Sequence, residues 1–151
     1  MILGPGAIAP SFSLPNQFGQ PVRLDEIRAR GRIVLVFFPL AFSRTCQGEL
    51  DELRDNLSLF DDAGAALHAV SVDSKHALRA WAEEQGYGFP LLADFWPHGA
   101  VAREYGAFLE GRGHAARATF VIDGAGVIRS SFATAPGEAR SIRQYREALE
   151  H

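Results

Sequence analysis

The sequence predicts an α/β fold, a sandwich of helices around a mixed sheet, and three observations carry that prediction. The run from Arg32 to Phe38 is apolar almost throughout, as expected of a strand buried on both faces. A helical stripe over residues 44–61 follows it, and then a second strand-like segment, Ala65 to Val72. Near the other end, Thr119 to Asp123 and Val127 to Phe132 flank Gly124-Ala125-Gly126, a hairpin signal. A β-α-β crossover makes strands parallel and a hairpin makes them antiparallel, so one sheet that holds both is mixed.

Each element has its own warrant. Ser11 to Leu14 and Val22 to Leu24 flank the turn-rich Asn16-Gln17-Phe18-Gly19 and read as a small N-terminal hairpin. Cys46, Leu50, Leu53, Leu57 and Phe60 recur at helical spacing, and Gly64 stands just past the stripe as a stop. Leu78, Trp81 and Ala82 mark a helix over about 75–85, closed by Gly86. Phe89 to Leu92 reads as a short strand. Asp94-Phe95-Trp96-Pro97-His98-Gly99 reads as a loop entering a short helix, with Pro97 near its first turn. Ile142, Tyr145 and Leu149 mark a terminal helix. The tryptophans Trp81 and Trp96 are expected in the core.

The totals bound the function. A chain of 151 residues suits one domain, residues 1–151, and can bury a real core. Apolar residues make up 47% and charged residues 22%, and the formal net charge is −3 with no block of like charges, which gives no bulk attraction for nucleic acid or an acidic membrane. The single cysteine excludes an intramolecular disulfide, a multi-cysteine zinc site and an iron–sulfur cluster within one chain. No secretory signal and no membrane-length apolar run is visible, so a cytoplasmic setting is the expectation. No metal or cofactor is expected, for there is no His-x-x-x-His or Cys-x-x-Cys spacing. Gly111-Arg112-Gly113-His114-Ala115-Ala116 formally fits a dinucleotide fingerprint, but a strand pattern follows it where a helix should, and it reads as a turn.

Cys46 sits in Pro39-Leu40-Ala41-Phe42-Ser43-Arg44-Thr45-Cys46, between a buried strand and a helix. Alone, such a thiol is as readily a buried small hydrophobe. At a helix N-terminus with hydroxyls just before it, it is a candidate nucleophile, because that end of a helix stabilises anions.

Pro39-x-x-x-Ser43-x-x-Cys46 after a buried strand resembles the Pro-x-x-x-(Thr/Ser)-x-x-Cys motif of peroxiredoxins. Gly6-Ala7-Ile8-Ala9-Pro10-Ser11-Phe12-Ser13-Leu14 resembles their opening segment, and Arg117-Ala118-Thr119-Phe120-Val121-Ile122-Asp123 the strand that carries their active-site arginine. Phe37-Phe38-Pro39-Leu40-Ala41-Phe42 and Asp94-Phe95-Trp96-Pro97-His98-Gly99 are most similar to the actinobacterial AhpE group of one-cysteine peroxiredoxins. The resemblance implies a thioredoxin-like fold with an N-terminal extension, cysteine-based reduction of peroxides and a homodimer. Many relatives carry a resolving cysteine, and this chain has none. The reducing thiol must therefore come from another molecule, and the resemblance implies mycothiol with mycoredoxin as one source.

The chemistry assigns the roles. A free cysteine is mostly protonated at neutral pH, and three features here favour the thiolate: the helix start, Arg117 from a neighbouring strand, and a hydrogen bond from Ser43 or Thr45. Cys46 is then the nucleophile that becomes a sulfenic acid. Arg117 holds the thiolate and the peroxide oxygens, Ser43 hydrogen-bonds the peroxide with the Cys46 N–H as a further donor, and Pro39 shields the sulfur from water. Thr45 is expected to be structural. Glu49, one turn after Cys46, either orients Arg117 through an ion pair or is an ordinary solvated helix residue. Phe42 either lines an apolar pocket mouth or packs. Asp51-Glu52, Asp61-Asp62 and Glu83-Glu84 read as solvated faces.

Three other readings stand beside the peroxidase. A peroxide sensor or redox relay would use the same Cys46 oxidation without efficient turnover. A thiol–disulfide oxidoreductase is weakened by the missing Cys-x-x-Cys pair. A Cys–His hydrolase would need a base among His68, His76, His98, His114 and His151, and only His98 sits in a loop worth inspecting.

Overall fold

The computed structural model describes residues 1–150. A central sheet of five strands holds β3 (Arg32–Phe37), β4 (Ala65–Ser71), β5 (Leu91–Ala93), β8 (Arg117–Ile122) and β9 (Ile128–Thr134), in the order β5-β4-β3-β8-β9. The pairs β3·β4 and β4·β5 are parallel, while β3·β8 and β8·β9 are antiparallel, so the sheet is mixed. An N-terminal hairpin, β1 (Ser13–Pro15) with β2 (Pro21–Arg23), forms a separate small sheet. The fold is thioredoxin-like α/β.

Strand alternation sorts the core into two layers. Val34, Val36 and Phe38 face α2 (Arg44–Asp55), α3 (Leu57–Asp62), α4 (Lys75–Gln85) and α6 (Ile142–Leu149), which supply Leu50, Phe60, Trp81 and Tyr145 to that layer. Ile33, Leu35 and Phe37 face the other way, toward Leu24 of α1 (Leu24–Ile27), Val101 and Ala102 of α5 (Ala100–Glu104), and Tyr105. Residues 33–38 are buried throughout because helices cover both faces.

Local chemistry sets the helix ends. Ser74 caps α4 by accepting from the Ala77 N–H at 3.2 Å, and Gly86 closes it in the left-handed region at φ 72°. A reciprocal Ser141–Gln144 capping box starts α6. The predicted helix over 44–61 is two helices. Asn56 leaves helical geometry at φ −126°, ψ 28°, and its side-chain amide donates to the Glu52 carbonyl at 2.7 Å, taking an acceptor that the continuing ladder would use. Leu24, predicted as the end of a strand, opens α1 instead. The short helix after the 94–99 loop begins only at Ala100, behind Gly99 in the left-handed region at φ 70°, so Pro97 precedes it rather than sitting in its first turn. The Gly111–Ala116 stretch is a turn, joining the two-residue strands β6 (Phe108–Leu109) and β7 (His114–Ala115). Trp81 is fully buried as expected, but Trp96 is 80% exposed, since the loop that carries it stands off the sheet end.

One side chain closes a sheet edge. Gln17, in the turn of the N-terminal hairpin, donates from Nε2 to the Phe89 carbonyl at 3.2 Å and accepts the Leu91 N–H at 2.9 Å. Its amide mimics a neighbouring strand on outer strand β5.

Candidate active site

The strand-to-helix junction and one antiparallel neighbour build the site. β3 ends at Phe37, paired with Ala118, so Arg117 starts β8 beside the point where the chain leaves the sheet for α2. Arg117, Thr119 and Val121 share one side of β8, and Val121 packs in the α2 layer. The register therefore aims Arg117 at the first turn of α2. Cys46 is the third residue of that helix and has no exposed surface. Arg117 Nη1 lies 3.2 Å from Cys46 Sγ. The first ladder bond of α2 runs from the Gln47 N–H to the Ser43 carbonyl at 2.9 Å, so the Cys46 N–H precedes the ladder and belongs to the electropositive helix start.

The other predicted residues lie along the segment that leads into α2 and in its first turn. Pro39 is buried at the end of β3. Ser43 occupies the N-cap position but makes no cap bond; its hydroxyl donates to the Leu40 carbonyl at 2.7 Å and fixes the loop. Thr45 is half-buried. Phe42 is half-exposed, its ring 6.0 Å from that of Trp81.

Glu49 is not a solvated helix residue. It lies beneath Cys46, 3% exposed, with Arg117 Nη1 on Oε1 at 2.6 Å. A second arginine, Arg140, donates to it from the backbone N–H at 2.7 Å, from Nε at 2.9 Å and from Nη2 at 3.2 Å. Burial pushes the Glu49 carboxyl up, but the Arg140 hydrogen bonds and charge, with Arg117 behind them, outweigh it and hold the group below the usual carboxylate range. Arg117 is also held from the other side, its Nε donating to the Pro136 carbonyl at 3.0 Å. The guanidinium that meets the sulfur is thus pinned at Nε and Nη1 before any substrate arrives.

Arg140 escaped the sequence reading. It stands just before the N-cap Ser141 of α6, fully buried, and also donates from Nη1 to the Ala118 carbonyl and to Thr119 Oγ1, both at 3.0 Å. One signal existed: a cation ahead of a helix start opposes the helix dipole, which implies an answering anion elsewhere. Of the acid pairs, Asp51 departs from the solvated reading and accepts the Tyr87 hydroxyl at 2.7 Å. Burial, with that bond to Asp51, holds the Tyr87 phenol far above its ordinary range.

Comparison with known proteins decides the family. The AhpC/TSA family model matches residues 5–131. Alkyl hydroperoxide reductase E of Mycobacterium tuberculosis is 48% identical over 148 residues, covering 98% of this chain and 97% of that one. The chain belongs to the peroxiredoxin family. Among solved structures, peroxidoxin BcpB from Mycobacterium tuberculosis superposes with a TM-score of 0.86 at 28% identity, covering 98% and 95% of the two chains. AhpC of Enterococcus faecalis gives 0.88 at 27%, covering 99% and 92%. With Cys46 as its single cysteine, this peroxiredoxin is a thiol-dependent peroxidase of the one-cysteine type.

Among the described residues, no histidine is bonded to Cys46 or Arg117. His98 places Nε2 2.6 Å from the Gly113 carbonyl and ties its loop to the 109–114 hairpin. His114 bonds its own strand, and His68 is buried on β4. His151 lies outside the described residues. Among the described residues, no cluster of three or more His, Cys, Asp or Glu side chains is placed to hold a metal, and no helix is long and apolar enough to cross a membrane.

Proposed function

We propose that Cys46 is the peroxidatic nucleophile toward hydrogen peroxide, organic hydroperoxides or peroxynitrite, and that an external thiol completes each cycle. The observation that carries the reading is Arg117 Nη1 at 3.2 Å from Cys46 Sγ, braced by Glu49. The thiolate attacks the distal peroxide oxygen. The S–O bond forms as the O–O bond breaks, and the departing alkoxide or hydroxide takes a proton to leave as alcohol or water, while peroxynitrite releases nitrite. Arg117 stabilises the oxygen charge developed during the step, with the Cys46 N–H as a second donor. The Ser43 hydroxyl has its hydrogen committed to the Leu40 carbonyl, so it meets the peroxide as an acceptor of the peroxide O–H. Pro39, buried and without an N–H, walls the sulfur from water.

The resulting sulfenic acid has no second cysteine to condense with. An external thiol attacks the sulfur to give a mixed disulfide and water, and a second thiol releases Cys46. The likeness to the AhpE group makes mycothiol with mycoredoxin the reductant to test first. Exposed Leu40 and Phe42 beside the site favour organic hydroperoxides over hydrogen peroxide. Leu40, Phe42, Phe95 and Trp96 stand exposed in loops at the C-terminal ends of β3 and β5, an apolar end of the sheet that suits a second copy of the chain in a homodimer. A cytoplasmic setting fits a cycle fed by small thiols.

The test is mass spectrometry of Cys46 after one equivalent of peroxide, with candidate thiols added in turn. The expected result is a gain of one oxygen, then a mixed disulfide, then sustained peroxide consumption. Consumption that stops after one equivalent with every thiol would replace the peroxidase by a sensor.

A further inference from the structure

Cys46 has no exposed surface. A peroxide is the smaller reactant and needs only a slight opening, but a thiol with a body behind it must meet the sulfur in line. The Pro39–Ser43 loop has to move for that encounter, so what holds this loop sets the balance between sealed and open states.

Two side chains hold it, on either side of one strained residue. Phe42 has φ 66°, a left-handed conformation that a bulky residue adopts only when its neighbours fix it. On its C-terminal side, Ser43 is tied back to Leu40. On its N-terminal side, the Ala41 N–H donates to Asp73 Oδ2 at 2.8 Å. Asp73 comes from a different strand end, two residues past β4, and is itself positioned: the Ser71 hydroxyl donates to the same Oδ2 at 2.6 Å, and the Asp73 N–H donates to Ser71 Oγ at 3.2 Å. Ser43 moves with the loop when the loop lifts. Asp73 does not, so its bond to Ala41 ties the loop to the sheet.

We infer that Asp73 is a positioning residue of this peroxidase: its carboxylate latches the Cys46 loop shut and thereby sets how often an outside thiol reaches the sulfur. This rests on the reading that an external thiol resolves Cys46.

While the sealed state dominates, loosening the latch leaves most molecules sealed and multiplies the open minority. Peroxide reactivity follows the sealed fraction and reactivity with a bulky reagent follows the open one, so the two rates separate. In Asp73→Ala, the rate at which the reduced thiol reacts with 5,5′-dithiobis(2-nitrobenzoate) rises about tenfold, the scale of one lost charge-assisted hydrogen bond. The rate of Cys46 oxidation by hydrogen peroxide falls by less than about twofold. Asp73→Asn, which keeps a carbonyl oxygen for Ala41, restores most of the wild-type ratio. Ser71→Ala, which leaves the carboxylate but removes its support, gives a smaller rise and serves if Asp73→Ala does not fold. Unchanged reagent reactivity in Asp73→Ala and Ser71→Ala, or a parallel fall of both rates, would overturn the latch. The reagent test reads the loop without turnover, so a wild-type protein that failed to cycle would defeat the peroxidase reading and leave the latch to be judged separately.

Discussion

The substitution Glu49→Gln separates the scaffold of the site from its chemistry. Glu49 is the shared anion of two buried guanidiniums, bonded to Arg117 Nη1 at 2.6 Å and to Arg140 at three atoms between 2.7 and 3.2 Å. Glutamine keeps one acceptor oxygen, removes the charge and turns an NH2 toward donors. Two buried cations lose their counterion, and removing one partner of a buried ion pair costs about 3–5 kcal/mol. For a chain of this size that corresponds to a melting point roughly 6–20 °C lower. The pH dependence gives the sharper check. The Glu49 carboxyl sits below its ordinary value of 4.5 in the folded protein, so its contribution is whole above that pH and is lost as pH falls through the folded value. The stability gap between wild type and Glu49→Gln, measured by urea unfolding, is therefore widest at neutral pH and narrows below pH 4. A gap under about 1 kcal/mol at pH 7, or one that stays constant down to pH 3, would refute this account of the network.

Other outcomes follow from the same geometry. Cys46→Ser abolishes peroxide reduction and leaves the circular dichroism spectrum intact; residual wild-type activity would remove Cys46 from its role. Arg117→Ala slows Cys46 oxidation about 100-fold, the loss typical of one donor aimed at developing charge, read by single-turnover peroxide kinetics. A wild-type rate there would mean that the 3.2 Å contact does no chemistry. His68 is buried with Nδ1 unpaired, and burial holds its imidazole below the ordinary 6.5. The unfolded chain therefore binds a proton that the folded one refuses, and wild type loses stability as pH drops below 6.5. His68→Leu removes that loss, so it gains on wild type as pH falls from about 7.5 to 5.5, against no relative change if the histidine is protonated in place.

Legibility in the sequence followed the range of the interactions. The buried strand before Cys46 and the stripe of Leu50, Leu53 and Phe60 are periodic signals, and they place the thiol at a helix start without reference to anything distant. Arg117 was legible only through its resemblance to a family strand, for nothing within ten residues of it says that β8 will lie antiparallel to β3 with Ala118 against Phe37. Glu49 read as well for solvent as for an ion pair, because burial of a carboxylate depends on which cations the fold returns to it. One of those, Arg140, comes from a loop that shares no local pattern with α2. The Asn56 break was missed because the apolar stripe continues across it: packing fixed the spacing of Leu53, Leu57 and Phe60, while the asparagine amide changed the backbone between them. Trp96 was misplaced for the converse reason, since its size argues for burial and only the position of the loop exposes it.

The solitary cysteine and its complete burial constrain each other. A peroxidase with a resolving cysteine carries its second reactant on the chain, whereas this one has a single thiol with no exposed surface, beside a guanidinium that is itself 5% exposed. Enclosure favours the first half of the cycle, because Arg117 acts on charge more strongly where water is excluded. It opposes the second half, because the sulfenic acid must meet a body too large to enter. Tightening the loop therefore speeds oxidation only until nearly every molecule is sealed, and slows resolution in proportion thereafter. The Glu49–Arg140 network and the Asp73 bond divide this task. The first fixes Arg117 from below, through Glu49 of α2 and the loop residue Arg140 just before α6. The second holds only the loop, through a single backbone amide. Stabilising substitutions beneath Arg117 should thus raise the melting point with resolution by small thiols unchanged, whereas any substitution that strengthens the hold on Ala41 should slow resolution even as it protects the fold.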